Sequence, residues 1–182
     1  MRSFRHCFHG LLAFTFVIGS STATRVALAA NPEGPSLQIT QLDHGVYFGG
    51  APCTEADFGR LRQLGIRQVI DIRKFLIFSS ARERQRARRQ GLTFERIPVG
   101  FRPERNDSVR TIMRRLSTKP CGPIYFHCKL GSDRTGLIAA IYRVRHLGWD
   151  PDYTFRVWKA GQFNPRLRGL DRYYWKAVSR RH

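Results

Sequence analysis

No stretch limits what this chain can fold into more than residues 122–136, GPIYFHCKLGSDRTG. Gly122-Pro123 interrupts whatever precedes it, and Ile124-Tyr125-Phe126 is a short β-branched and aromatic run of the kind that makes a buried strand. Thr135-Gly136 leads into Leu137-Ile138-Ala139-Ala140-Ile141-Tyr142-Arg143-Val144, apolar on one side at helical spacing. Between the two lies a turn from Cys128 to Arg134. A loop that enters a helix N-terminus aims backbone N–H groups and the positive end of the helix dipole at one point, which suits an oxyanion such as phosphate. Lys129, Leu130, Gly131, Ser132 and Asp133 are the candidate backbone donors, and Arg134 adds a planar fork for two phosphate oxygens.

The same placement activates the thiol. A sulfur set among N–H donors, close to a helix N-terminus and an arginine, has its thiolate stabilised. Cys128 is therefore the candidate nucleophile, and the chemistry it suits is phosphoryl transfer to sulfur followed by hydrolysis. The Thr135 hydroxyl is placed to assist the departing thiolate. The blander alternative is a buried free cysteine beside an ordinary loop arginine. A nucleotide-binding P-loop is excluded, because no Gly-x4-Gly-Lys-Ser/Thr pattern occurs in the chain.

His127, Cys128, Gly131, Arg134, Thr135 and Gly136 together resemble the phosphate-binding signature of the cysteine-based protein tyrosine phosphatase superfamily, nearest its compact dual-specificity branch. Gly65-Ile66 followed by Val69-Ile70 and Arg73 is similar to the opening half of the same branch. The resemblance implies a hydrolase of phosphate monoesters of the phosphotyrosine or dual-specificity type, with a phosphocysteine intermediate on Cys128 and no cofactor. His127 and Thr135 are accessory residues of that signature. In most of the family an aspartate on an earlier loop protonates the leaving oxygen. Here that region, Val99 to Asp107, has no aspartate at the matching place. Asp133 is favoured instead, because Asp133-Arg134-Thr135 resembles the signatures of myotubularins and some bacterial phosphatases, in which an acid inside the loop takes this part. Glu104 and Asp107 remain alternatives, Asp107 serving more economically as a helix cap. Lys129 beside the cysteine resembles phosphatases that act on phosphoinositides, and it either charges the pocket or points to solvent.

The rest of the chain alternates strand and helix signals. Two short strands, Leu37–Thr40 and Val46–Phe48, flank a turn at Asp43-His44-Gly45. A helix capped by Thr54 runs to Gly65, a strand covers Ile66–Arg73, and a helix covers Ser79–Gln90. A strand follows at Leu92–Ile97, a loop from Pro98 to Asn106, and a helix capped by Asp107 or Ser108. After the signature helix come two more, from Pro151 and from Arg166 to Ser179. This order implies an α/β fold, a central mostly parallel sheet flanked by helices, with the signature at a carboxyl edge where such sheets place ligands. Asp71 and Arg73, at a strand end, are expected to order loops there. The arginines of the Ser79–Gln90 helix, Arg82, Arg84, Arg86, Arg88 and Arg89, face only Glu83, and a solvated basic face is the favoured reading.

Composition adds the compartment and the partners. Arg2, Arg5 and His6 precede the apolar run Leu11–Gly19, too short to span a bilayer, and Ala27-Leu28-Ala29 has the small-x-small form of a cleavage site. Residues 1–29 are thus expected to be a secretory signal peptide, cut after Ala29 or Ala30, with 30–182 a single exported domain, periplasmic or secreted. The whole chain has 32 basic against 13 acidic side chains; losing Arg2, Arg5 and Arg25 leaves 29 against 13. Such a surface draws phosphorylated proteins, phosphoinositides or small phosphate esters, and anionic lipid surfaces. Nucleic acid is disfavoured, since no aromatics interleave the arginines. Cys53 and Cys121 either pair or stay free. No ligand-spaced cluster of histidines, cysteines and carboxylates implies a metal. A non-catalytic phosphate-binding module and a thiosulfate- or arsenate-handling enzyme are the readings from other classes.

Overall fold

The computed structural model describes residues 37–75, 77–103, 107–161 and 163–179. The signal-peptide expectation for residues 1–29 and the candidate acid Glu104 lie outside these residues.

Five strands form one sheet in the order β1-β2-β5-β3-β4. They are β1 (Ile39–Asp43), β2 (Val46–Gly49), β3 (Gln68–Arg73), β4 (Thr93–Val99) and β5 (Ile124–His127). Only β1 runs antiparallel, joined to β2 by the tight turn at Gly45. The remaining pairs are parallel, so the sheet is mostly parallel, and the strand before the signature lies at its centre. Parallel neighbours need crossovers, and helices supply them. These are α1 (Glu55–Gln63), α2 (Ile77–Arg89), α3 (Ser108–Thr118) and α4 (Arg134–Leu147), followed by α5 (Pro151–Ala160) and α6 (Arg168–Ser179).

Local chemistry sets the helix starts. Thr54 and Asp57 form a reciprocal capping box at α1. Pro151 stands in the first turn of α5, with Asp150 accepting from the Tyr153 N–H. Asp107 precedes α3 without a side-chain capping bond and pairs with Arg110 instead, so its expected capping role is not made. β4 reaches past Ile97 through Pro98 to Val99, where a loop was expected. It can do so because β4 is an edge strand, where a missing N–H need not break a ladder.

The alternation of side chains along each strand splits the core in two. Val46, Ile70, Ile72, Ile124 and Phe126 join α3, α4, α5 and α6 in the larger cluster. Val69 and Tyr125 join Phe58 and Leu61 of α1 and Ala87 of α2 in the smaller one. In register, Asp71 of β3 stands beside His127 of β5. Both therefore fall on the α2 face, at the carboxyl edge, directly below the signature loop. Cys53, Cys121 and Cys128 are all free thiols, so the Cys53–Cys121 pairing is not made.

Candidate active site

The signature loop runs from the end of β5 to the first turn of α4. Its sulfur is buried, with Cys128 only 2% exposed, and Sγ accepts the Gly131 N–H at 3.3 Å. Gly131 has φ +89°, and a Cβ there would lie 2.7 Å from the Gly49 carbonyl carbon and 2.9 Å from the Gly50 nitrogen. Conformation and space both require glycine. The loop is fastened on that side by the Ala51 N–H, which donates to the Lys129 carbonyl at 3.0 Å. The Tyr125 hydroxyl donates to the Gly50 carbonyl at 2.7 Å, tying the same segment to β5.

The other side is fastened by α5 and the segment after it. Trp158 Nε1 donates to the Ser132 carbonyl at 3.1 Å, and its ring fills the space a Cβ on Gly136 would take. Asp133 Oδ1 accepts the Asn164 N–H at 2.8 Å. Arg134 opens α4, with the Phe101 ring 4.6 Å from its guanidinium carbon. Arg134 Nε and Thr135 Oγ1 are buried without a hydrogen-bond partner among the described residues. Buried donors are nearly always paired, so two such atoms in one loop mark a place for a polar guest.

Beneath the loop sits a cluster of buried charge. Arg73 donates from Nε to Asp71 Oδ1 at 2.8 Å and from Nη2 to both oxygens of Glu83 at 2.7 Å. Ser80 donates to Asp71, and Arg96 adds a further cation 3.7 Å from Asp71. His127 Nδ1 lies 2.9 Å from the Cys128 carbonyl oxygen, which can only accept, so that nitrogen carries the proton. The other ring nitrogen then faces Glu83 Oε2 at 3.5 Å. Burial pushes His127 down to about 4, although Asp71 pulls the other way, and the ring is neutral. Burial likewise lifts Glu83 to about 7, against the pull of Arg73. For Asp71 burial acts upward, but the hydrogen bonds from Arg73 and Ser80 hold its carboxyl below the usual range.

Thus Cys128, Gly131, Ser132, Asp133, Arg134 and Thr135 stand in one loop and helix turn, with His127 directly under it. The Lys129 side chain is exposed and the Leu130 side chain is 74% exposed. Asp71 and Arg73 do order the carboxyl edge, but as a sealed pair with no surface access. Sequence reasoning missed Glu83 and Ser80 beneath the loop, and Trp158, Asn164 and Phe101 around it. A signal existed for the first two: Ser80, Glu83 and Ala87 are spaced three and four apart, the inward stripe of a helix whose arginines face out.

Comparison with known proteins agrees with this fold. A family model described as the tyrosine phosphatase family matches residues 78–153. The dual specificity protein phosphatase TpbA of Pseudomonas aeruginosa PAO1 is 24% identical over 144 residues, covering 79% of this chain and 63% of that protein. TpbA of strain UCBPP-PA14 is 39% identical over 56 residues, 30% of this chain and 26% of the relative. The chain thus spans less than two thirds of the length of these relatives. Among solved structures, P. aeruginosa TpbA superposes with a TM-score of 0.60 at 22% identity, covering 78% of this chain and 89% of the other. A putative phosphatase from Shewanella putrefaciens CN-32 gives 0.64 at 16% identity, covering 79% and 91%. The core catalytic domain of the PP-IP phosphatase Siw14 from S. cerevisiae gives 0.61 at 11%, covering 75% and 85%. These likenesses are to the tyrosine phosphatase family, and the matched stretch, residues 78–153, takes in the whole signature loop. The fold is that of the dual-specificity-like phosphatases.

Proposed function

We propose that this protein is an exported cysteine-dependent phosphatase that hydrolyses phosphate monoesters of the phosphotyrosine or dual-specificity type. The observation that carries the reading is the pairing of a buried, N–H-contacted sulfur with an unpartnered Arg134 Nε in one loop at a helix N-terminus. The loop amides and Arg134 hold the phosphate. The Cys128 thiolate attacks phosphorus in line with the ester oxygen; the S–P bond forms as the P–O bond breaks, and Asp133 supplies the proton that the leaving oxygen takes. Water then attacks the phosphocysteine, giving its proton to the Asp133 carboxylate left by the first step; the P–O bond forms as the S–P bond breaks, and the Cys128 thiolate departs with the Thr135 hydroxyl beside it. The Asn164 N–H fixes the orientation of the Asp133 carboxyl through one oxygen and leaves the other for the proton. Export rests on residues 1–29 as a signal peptide, and mass analysis of the mature N-terminus tests it: cleavage after Ala29 or Ala30 is expected.

The chemistry is tested with p-nitrophenyl phosphate under reductant and chelator. Cys128→Ser is expected to lower turnover by roughly three orders of magnitude or more. Asp133→Asn is expected to cost little on that good leaving group and about a hundredfold or more on a phosphotyrosine peptide. Equal losses on both substrates would remove Asp133 from the acid role. A wild-type protein that binds vanadate but turns over neither substrate would be a phosphate-binding module. Phosphoinositides of the same concentration form the comparison arm for substrate class.

A further inference from the structure

Nine large apolar side chains are exposed among the described residues, and five of them follow three neighbouring strands of the sheet. Phe75, Ile77 and Phe78 follow β3, at 66%, 67% and 89% exposure. Phe101 follows β4 and Leu130 follows β5. These three strands are parallel neighbours, so their following segments share the carboxyl edge of the sheet, around the signature loop. Contacts join them: the Phe101 ring lies on Arg134, and a methyl built on Gly100 would touch the Lys74 side chain. Exposed cations stand between the apolar tips: Lys74 beside Phe75, Arg102 beside Phe101 and Lys129 beside Leu130. The acids among the described residues of these segments are Asp133, held by the Asn164 N–H, and Asp107, paired with Arg110.

Apolar side chains exposed on neighbouring loops and on the first turn of α2 are not a core, and such a patch marks something that covers it. The basic face of α2 is a poorer candidate for docking than its composition suggested. Arg86 and Arg89 reach Glu55, and Arg84 lies over Phe94. At the rim, by contrast, aromatic and aliphatic tips alternate with cations, and the acids among its described residues, Asp107 and Asp133, each have a partner. That is the chemistry of a surface lying in the headgroup layer of an anionic bilayer, rings at the acyl boundary and ammonium or guanidinium groups among phosphates.

We propose that this rim docks on an anionic phospholipid bilayer, with Phe75, Ile77 and Phe78 entering the interface and the signature loop facing the headgroups. Docking does not depend on the phosphatase reading, since it is measured without turnover. The full chain is titrated with vesicles of phosphatidylcholine, with and without phosphatidylglycerol, by sedimentation. Residues 1–36 are common to wild type and variants, so the difference between proteins is the readout. Phe75→Ser with Phe78→Ser is expected to lower partitioning onto phosphatidylglycerol vesicles about tenfold or more. Turnover of soluble p-nitrophenyl phosphate should stay unchanged, which also shows that the variant folds. In a separate Phe78→Trp protein, emission should shift to the blue on these vesicles and be quenched by brominated acyl chains. Partitioning equal to wild type in the double variant, or a tryptophan that brominated lipid does not quench, overturns the proposal. So does a double variant that binds vesicles normally but loses phosphopeptide turnover or self-association, which would assign the rim to a protein partner.

Discussion

The two faces of the sheet under the signature loop are built from unlike materials. Toward α4, Ile72, Phe126 and Cys128 pack with Leu137 and Ile141 in a continuous apolar cluster. Toward α2, one residue further along each strand, Asp71, Arg73, Ser80, Glu83 and His127 form a buried cluster of charges and hydrogen bonds. Apolar packing is non-directional and tolerates small changes of shape. Buried charge is directional, costly to break and dependent on pH. The loop thus rests on a forgiving support on one side and an exacting one on the other. The exacting side reaches the Cys128 backbone through His127.

The comparison predicts unequal costs for comparable trims. Arg73→Met leaves the carboxyls of Asp71 and Glu83 without their main cation. It should destabilise the protein by about 3–5 kcal/mol. Ile72→Val, the neighbouring residue on the apolar face, should cost about 0.5–1.5 kcal/mol. Urea denaturation of both variants measures the contrast; equal losses would mean that the charged cluster is no more demanding than the core.

Gly131→Ala tests the loop itself. Alanine must adopt a left-handed φ and push against Gly49 and Gly50, at about 1–3 kcal/mol. Since the Gly131 N–H is the one that meets the sulfur, turnover should fall by more than the loss of stability explains. A variant of lower melting temperature but full activity would show that the loop relocates without harm.

What could be read from residues alone divides along the same line. The strand–loop–helix passage around Cys128 was legible because its signals are local: a β-branched run, a cysteine and arginine in one turn, a helical stripe. The five-strand sheet was legible from alternation, and its order was not, because strand order is decided by pairings between distant segments. Glu83 was hidden for a different reason. In sequence it is one acid among arginines on a helix that reads as solvated, and only the register of β3 beside β5 shows that its partners are Arg73 and His127. Asp133 is intermediate: its place beside Arg134 is local, whereas its hydrogen bond to Asn164 belongs to a turn after α5.

The pH dependence of stability probes the buried Glu83, whose carboxyl faces His127. Glu83 rises from an ordinary 4.5 to about 7, so the folded protein holds a proton that the unfolded chain releases. Its contribution to stability is complete below 4.5 and is lost as pH climbs to 7. His127 falls from 6.5 to about 4, so its contribution is complete above 6.5 and is lost as pH drops toward 4. Between 4.5 and 6.5 the two slopes oppose each other, and wild-type stability should be nearly level there as far as this pair is concerned. Glu83→Gln removes one slope and keeps a neutral group of the same shape. The variant should then gain stability from pH 4 to 6.5, and relative to wild type it should gain about 2–3 kcal/mol between about pH 5 and pH 8. Denaturation midpoints at both pH values measure it. Parallel profiles would mean that Glu83 stays ionised throughout, with Arg73 outweighing its burial.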